Sequence, residues 1–161
     1  YKLLLKKYLH INMDVFLKAV HRQSRDNART PLQWDNSKFT GFSNTKPWID
    51  VNPNYEKINV KIQEDNPVSI LNYYREIIKI RKNNLTLIYG EFLDLDPSNK
   101  KLYIYKRWDK QKTFVVILNF SDEKVICNIN DLSSMILVIG NYKKSVYDRS
   151  MDPWEARVYV Y

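Results

Sequence analysis

The chain has 161 residues, of which 44% are hydrophobic and 14% aromatic, and its formal net charge is +8. That composition excludes a disordered chain, and the length suits one ordinary domain or two small ones. The basic residues are spread along the chain among acidic ones, so we interpret the charge as a solvated surface and expect no specific nucleic-acid binding.

The first zone, residues 1–23, has the spacing of a helix. Phe16, Leu17 and Val20 recur at helical intervals after Asp14, which is a candidate N-cap. From residue 24 to residue 66 this periodicity disappears, and prolines, asparagines and aspartates become frequent. So long a segment without regular structure is uncommon in a compact domain unless it is functional.

A helix is predicted over residues 67–83. Asn66 is its candidate N-cap, and Pro67 occupies the first helical position, where proline is favoured. The apolar side chains fall on one broad stripe, and such a stripe must pack against something large. Its members are Ile70, Leu71, Tyr74, Ile77 and Ile78.

The remainder, from about residue 87, has the pattern of a β domain. Short apolar runs alternate with turn clusters, and this is typical of a small antiparallel sandwich. The predicted strands cover residues 101–108, 113–120, 124–129, 135–139 and 157–161.

Cysteine content and hydropathy limit where in the cell the protein is expected. Cys127 is the only cysteine, so no intrachain disulfide can form, and we expect a cytoplasmic protein. We see no signal peptide or apolar run of membrane-spanning length, and expect no membrane association. His10 and His21 have no metal-ligand partners nearby in sequence, so neither a metal nor another cofactor is expected. Because the chain begins with Tyr1 and not Met, we expect a truncated start.

The most informative segment covers residues 24–35 and reads Ser-Arg-Asp-Asn-Ala-Arg-Thr-Pro-Leu-Gln-Trp-Asp. Arg25 and Arg29 each offer a forked set of donors, which can bond paired hydroxyls or hold a carboxylate. Asp26 could orient either arginine. On the residues alone, a salt-bridged loop that only packs is an equally good interpretation.

This run resembles the Ser-Arg-Asp-Asn-Ala-Arg-Thr-Pro-Met-Gln-Trp motif of α-glucosidases in the α-amylase family, glycoside hydrolase family 13. The similarity is to oligo-1,6-glucosidases and to yeast isomaltases and maltases, and Leu32 in place of Met is the one change within the motif. It continues in order through Lys46-Pro47-Trp48, 51–55, 58–60, 116–120 and 153–157. Nearly the whole chain is therefore covered.

The resemblance implies an α+β piece with two parts. Residues 1–85 would be the tail of a (β/α)8 catalytic barrel, with a long loop after the eighth strand and a closing helix, and residues 86–161 would be a β-sandwich C-terminal domain. Active sites of such barrels lie at the end where that loop emerges. The parent enzyme would hydrolyse terminal α-1,4- or α-1,6-glucosidic bonds of small oligosaccharides with retention.

The resemblance implies a functional role only for residues at positions that match the family motif. Arg25 corresponds to the family arginine that hydrogen-bonds hydroxyls of the glucose in the −1 subsite, while Asp26 and Arg29 would brace the loop beside it. Gln33 and Trp34 would pack the loop, and Pro153-Trp154-Glu155 would anchor the last strand.

No catalytic residue is predicted. Retaining glycosidases need two carboxyl groups about 5–5.5 Å apart, and the family supplies them from earlier barrel strands whose signatures are absent here. The acidic pairs Glu64-Asp65, Asp94/Asp96 and Asp122-Glu123 lie in turn-like sequence. We therefore expect the isolated piece to be inactive. The alternative is a non-catalytic remnant that binds a carbohydrate or a protein.

Overall fold

A computed structural model describes residues 12–142 and 147–161. The chain divides into two compact units, Tyr1–Asn72 and Tyr73–Tyr161. The proposed boundary between residues 85 and 86 stays a prediction.

Helix α1, Met13–Gln23, opens the described part of the first unit. Its N-cap is Asn12, whose side-chain oxygen accepts hydrogen bonds from the backbone N–H groups of Asp14 and Val15. The expectation that Asp14 caps the helix is therefore wrong, and Asp14 stands in the first turn instead, where a carboxylate also favours the helix dipole. Residues 1–11, with His10, lie outside the described residues.

The segment 24–66 contains more regular structure than the sequence predicts. Three 3₁₀ turns occur at Arg25–Ala28, Lys38–Gly41 and Pro53–Glu56, and a short helix α2 spans Val60–Asp65. Asn59 caps α2 by accepting a hydrogen bond from the backbone N–H of Ile62 at 2.9 Å. Only six residues long, α2 is too short for its periodicity to stand out in the sequence.

Helix α3, Ile70–Lys82, begins three residues later than predicted. Asn66 and Pro67 form a turn, and the Ser69 hydroxyl accepts the backbone N–H of Asn72 in the manner of an N-cap. The apolar stripe of the helix stays largely uncovered by the described residues, since Ile70 is 82% exposed.

The second unit holds the sheet. After a short helix α4, Leu85–Tyr89, come β1 Glu91–Asp94, β2 Leu102–Trp108, β3 Thr113–Asn119, β4 Val125–Ile126, β5 Ile136–Gly140, β6 Ser150–Met151 and β7 Ala156–Val160. Five strands form one antiparallel sheet in the order β1-β2-β3-β7-β5, and β4 pairs with β6. The predicted antiparallel β zone is confirmed, but its start is wrong because residues 85–89 are helical.

Successive side chains of a strand point to opposite faces of the sheet, and both faces of this sheet bury apolar side chains. Leu102, Ile104 and Ile117 belong to one core cluster that also contains Cys127 and Met151. On the other side, Val116, Leu118 and Val158 line a cavity of about 220 Å³ together with side chains of α3. Burial raises the pKa of the Cys127 thiol, as expected for a structural cysteine. None of the helices that the structure describes is long and apolar enough to span a bilayer.

Candidate functional site

The segment 24–35 begins where α1 ends. The backbone N–H of Ser24 donates to Val20 O at 2.8 Å, and the Ser24 hydroxyl accepts the N–H of Asp26 at 3.3 Å. One serine thus closes the helix and opens the following 3₁₀ turn. The amide of Asn27 donates to His21 O at 2.6 Å and ties the turn back onto α1.

Arg25 occupies the first position of this turn and is exposed. Within the described ranges, no side chain hydrogen-bonds or pairs with its guanidinium. An arginine in this state presents its donors to solvent in a fixed plane, so it can bond neighbouring hydroxyls of a ligand.

Asp26 is the second residue of the same turn, and Arg29 is its C-cap. Their charged atoms are 3.8 Å apart, and both side chains are about half exposed. The backbone N–H of Arg29 also donates to Asp26 O at 3.0 Å. An exposed pair of this kind stabilises little, so the bracing role of these two residues stays a prediction that the geometry permits.

Gln33 and Trp34 link the run to the rest of the loop. The side-chain amide of Gln33 donates to Asn54 Oδ1 at 3.0 Å and to Ile58 O, and the Gln33 carbonyl accepts the N–H of Val60 at 2.9 Å. The ring of Trp34 is half exposed, whereas its carbonyl accepts the N–H of Lys61 at 3.0 Å. Trp34 therefore anchors the loop through its backbone.

Three consecutive residues, Phe39, Thr40 and Gly41, have positive φ angles of 57°, 61° and 66°. Left-handed backbone is unfavourable for residues with a Cβ and often marks functional segments. Thr40 is fully buried, and its carbonyl accepts the N–H groups of Trp34 and Asp35 at 3.0 and 3.2 Å. These bonds hold the left-handed turn against the segment 24–35.

Asp35 stabilises the same turn from the other side. Its carboxylate accepts the hydroxyl and the backbone N–H of Ser37, at 2.5 and 2.8 Å. These bonds lower the pKa of Asp35, the hydroxyl bond being the larger cause. A Cβ at Gly41 would lie 2.9 Å from the Asp35 carboxylate, so only glycine fits there.

The acidic pairs take structural roles where the structure shows their contacts. Asp94 accepts the backbone N–H of Asp96, Asp96 accepts the amide of Asn99, and Glu123 pairs with Lys101. Among residues 12–142 and 147–161, no group of three His, Cys, Asp or Glu side chains could hold a metal ion. In the part of the chain that the structure describes, Arg25 is an exposed candidate for binding hydroxyls, and its role stays a prediction.

Sequence reasoning missed the left-handed turn and the residues around it. The signals were present, since Asp35-Asn36-Ser37 is a turn-forming cluster and Gly41 is one of only three glycines. Phe39 and Thr40 gave no such signal, because phenylalanine and threonine rarely adopt a positive φ and so do not predict one.

The family model of the α-amylase catalytic domain matches residues 6–90. The chain belongs to the α-amylase family. That match covers α1, the segment 24–35, the left-handed turn, α2, α3 and α4.

Several members of the family resemble the chain over most of its length. An oligo-1,6-glucosidase of Parageobacillus thermoglucosidasius is 36% identical over 89% of this chain and 27% of that protein. A glucan 1,6-α-glucosidase of Streptococcus pneumoniae is 37% identical over 91% of this chain and 27% of that protein. The crystal structure of an isomaltulose synthase from Erwinia rhapontici superposes with a TM-score of 0.82, at 35% identity, over 97% of this chain and 30% of that one. The chain thus spans about a quarter of the length of these curated relatives.

Proposed function

We propose that this chain is part of an α-glucosidase that hydrolyses terminal α-1,4- or α-1,6-glucosidic bonds of small oligosaccharides with retention. The observation that carries the proposal is the exposed guanidinium of Arg25, which no side chain of residues 12–142 or 147–161 pairs with, on a turn that Ser24 and Asn27 tie to α1. The glucosidase names of the relatives support it.

In this proposal residues 1–85 are the end of a (β/α)8 barrel and residues 86–161 a β-sandwich. The large apolar residues of the first unit support the first part, because many of them stay exposed on loops and helices, Trp48 to 86%. Further chain would have to cover them. The sheet β1-β2-β3-β7-β5 with the β4–β6 pair supports the second.

Arg25 would donate hydrogen bonds to hydroxyls of the glucose in the −1 subsite and fix that ring in place. Its role would be to position the substrate, because the planar fork of guanidinium donors can bond two neighbouring hydroxyls at once. Asp26 and Arg29 would hold the turn. Two carboxyl groups from the rest of the barrel would act as nucleophile and acid–base, about 5–5.5 Å apart. With one free, buried cysteine, such an enzyme suits the cytoplasm.

The test is the variant Arg25→Ala in the full-length protein that carries this chain, with maltose and isomaltose as substrates. A hydrogen bond from a charged donor is worth about 1.5–3 kcal/mol, so kcat/KM should fall by about 10- to 150-fold. Arg25→Lys should recover only part of this loss, because the forked geometry is gone. Arg22→Ala, in the last turn of α1, is the matched control and should leave kcat/KM unchanged.

The outcomes separate the candidates. Activity that survives Arg25→Ala would remove the subsite role while leaving the glucosidase. A wild-type protein that hydrolyses no α-glucoside would overturn the enzyme itself, and the non-catalytic binding module would then replace it. Retention is checked by the anomer of glucose first released, observed by NMR.

A further inference from the structure

The first unit contains a cleft that none of the assigned roles uses. It has a volume of about 360 Å³ and lies within residues 38–55. Its apolar lining residues are Phe39, Pro47, Val51 and Tyr55, and Lys38 Nζ lies 5.1 Å from the centre of the Phe39 ring. That volume falls in the range of about 300–1,000 Å³ that is usual for small-molecule sites.

Polar groups lie among these apolar walls. Lys38, Lys46 and Asp50 also line the cleft, and Lys46 Nζ lies 3.2 Å from Asp50 Oδ1. Both members of that pair are largely exposed, so it contributes little to stability. Their remaining donor and acceptor sites are open to a ligand.

The backbone that presents Phe39 is strained, and this strain needs a reason. Phe39 and Thr40 hold left-handed conformations, which cost roughly 1–2 kcal/mol for each residue with a Cβ. The hydrogen bonds of Asp35 and Thr40 maintain the turn. The result is an aromatic ring kept in the wall of a cleft by a turn that glycine alone would adopt freely.

Flat rings beside mixed donors and acceptors suit a pyranose sugar. Its C–H face packs on an aromatic ring, while its hydroxyls both donate and accept, which an ammonium group and a carboxylate can satisfy together. An anion would meet the Asp50 carboxylate, and a purely apolar ligand would leave Lys46 and Asp50 unsatisfied.

The cleft and Arg25 belong to one hydrogen-bonded segment. Gln33 connects the run that follows Arg25 to Asn54, next to Tyr55, and Thr40 connects it to the left-handed turn. We propose that this cleft binds a further glucosyl unit of substrates longer than a disaccharide, and so favours longer oligosaccharides. The inference rests on the proposed α-glucosidase function.

The experiment uses the full-length protein with Phe39→Leu and Tyr55→Leu, singly and together. Leucine keeps apolar bulk but removes the flat ring. Because binding outside the reacting bond is lost equally in ground and transition states, KM for an α-1,6-linked glucose trisaccharide should rise on the order of tenfold in the double variant, with kcat unchanged. KM for the disaccharide should stay within twofold of wild type.

Tyr89→Leu is the matched control, since Tyr89 is 81% exposed and lies outside the cleft; it should change neither KM. Lys46→Met is a second, milder variant in case the double variant does not fold, and should raise the trisaccharide KM about threefold through one lost donor. Equal effects on both substrates, or none on either, would overturn the proposed subsite.

Direct binding of the trisaccharide, by calorimetry, separates this inference from the function beneath it. A wild-type protein without hydrolysis that still binds the trisaccharide, with binding lost in the double variant, would retain the cleft and reject the glucosidase. Absence of both hydrolysis and variant-sensitive binding would reject both.

Discussion

In the second unit the sheet buries large apolar side chains such as Ile104, Phe114 and Tyr159, whereas the buried residues of the first unit include Thr40, Asn59 and Ser69. Every fully buried large apolar side chain in the described ranges belongs to the second unit. The first unit is held by directional bonds between side chains and backbone, including those of Gln33 to Ile58 O, Asp35 and Asn59. An apolar core therefore stabilises the second unit, whereas hydrogen bonds between side chains and backbone stabilise the described part of the first.

The difference shows where binding residues can be placed. Binding groups concentrate on loops that a rigid scaffold positions, and the unit with Arg25 and the cleft is the one without an apolar core among its described residues. Directional bonds fix a loop precisely but give little free energy each. We therefore expect the second unit to respond most to changes in its interior and the first to changes in single bonds and backbone angles.

The largest effect should come from the buried ion pair at the start of β7. Arg157 donates to Glu155 Oε1 at 2.8 Å, to Ser150 O at 2.8 Å and to Asp148 O, and both charged side chains are almost completely buried. Arg157→Met leaves the Glu155 carboxylate buried without its cation, which should cost about 3–5 kcal/mol of unfolding free energy. Urea unfolding of the sheet, followed by circular dichroism, measures it.

Lys124→Met is the control, because Lys124 pairs with Asp152 at 3.3 Å from an exposed position. It should change the unfolding free energy by no more than about 1 kcal/mol. Equal losses in the two variants would mean that burial of the Arg157 pair does not determine its contribution, and the contrast between the units would weaken.

A smaller and local effect should come from Gly41→Ala in the first unit. The alanine would have a left-handed φ and a Cβ 2.9 Å from the Asp35 carboxylate, at a cost of about 1–2 kcal/mol. The amides of Trp34 and Asp35, which donate to Thr40 O, should then exchange hydrogen faster by about 5- to 30-fold.

Gly140→Ala provides the comparison in the second unit. A Cβ there would meet no atom closer than 3.4 Å, so amide exchange in β5 should change by less than a factor of about 2.5. If both glycine variants behaved alike, positive φ would not be what distinguishes the turn around Gly41.

Much of the second unit could be predicted from sequence. Runs such as 101–108 and 113–120 alternate between two buried faces, and the turn between β2 and β3 carries Asp109, which accepts two backbone N–H groups there. Strands β1 and β6 were missed, since they are short and their pairing is set by distant partners. The N-caps of α1 and α3 were also assigned to the wrong residues, because Asn12 and Ser69 can cap a helix as well as the predicted Asp14 and Asn66 can.

The candidate site was predicted only as far as its motif. The 24–35 run was identified from its charged, proline-locked sequence, but neither the exposure of Arg25 nor the cleft at residues 38–55 was predicted. Phe39 and Tyr55 become neighbours of one cavity through the left-handed turn and the bond from Gln33 to Asn54. No local sequence pattern indicates that turn or that hydrogen bond, so only the structure shows that Phe39 and Tyr55 line one cavity.

The smallest effect should be a difference in acid sensitivity between two carboxylates, one in each unit. Hydrogen bonds lower the pKa of Asp35, chiefly from the Ser37 hydroxyl, and that of Asp109, chiefly from the Thr86 hydroxyl. A lowered folded pKa contributes stability that is fully present above the unfolded value, about 3.9, and is lost as pH falls through the folded value.

Protonation of Asp35 and of Asp109 should therefore change the hydrogen exchange of differently sized parts of the two units. Protonating Asp35 removes bonds on which the left-handed turn depends, so the amides of Trp34 and Ser37 should lose protection below about pH 4. Protonating Asp109 should loosen the β2–β3 turn and its bond to Thr86 in α4, but not the strands, because apolar burial holds the strands at any pH. Hydrogen exchange between pH 6 and pH 3, on wild type and on Asp35→Asn, measures both, after correction for the intrinsic pH dependence of exchange. Loss of protection throughout β3 in step with the Asp35 turn would show that the two units do not respond independently.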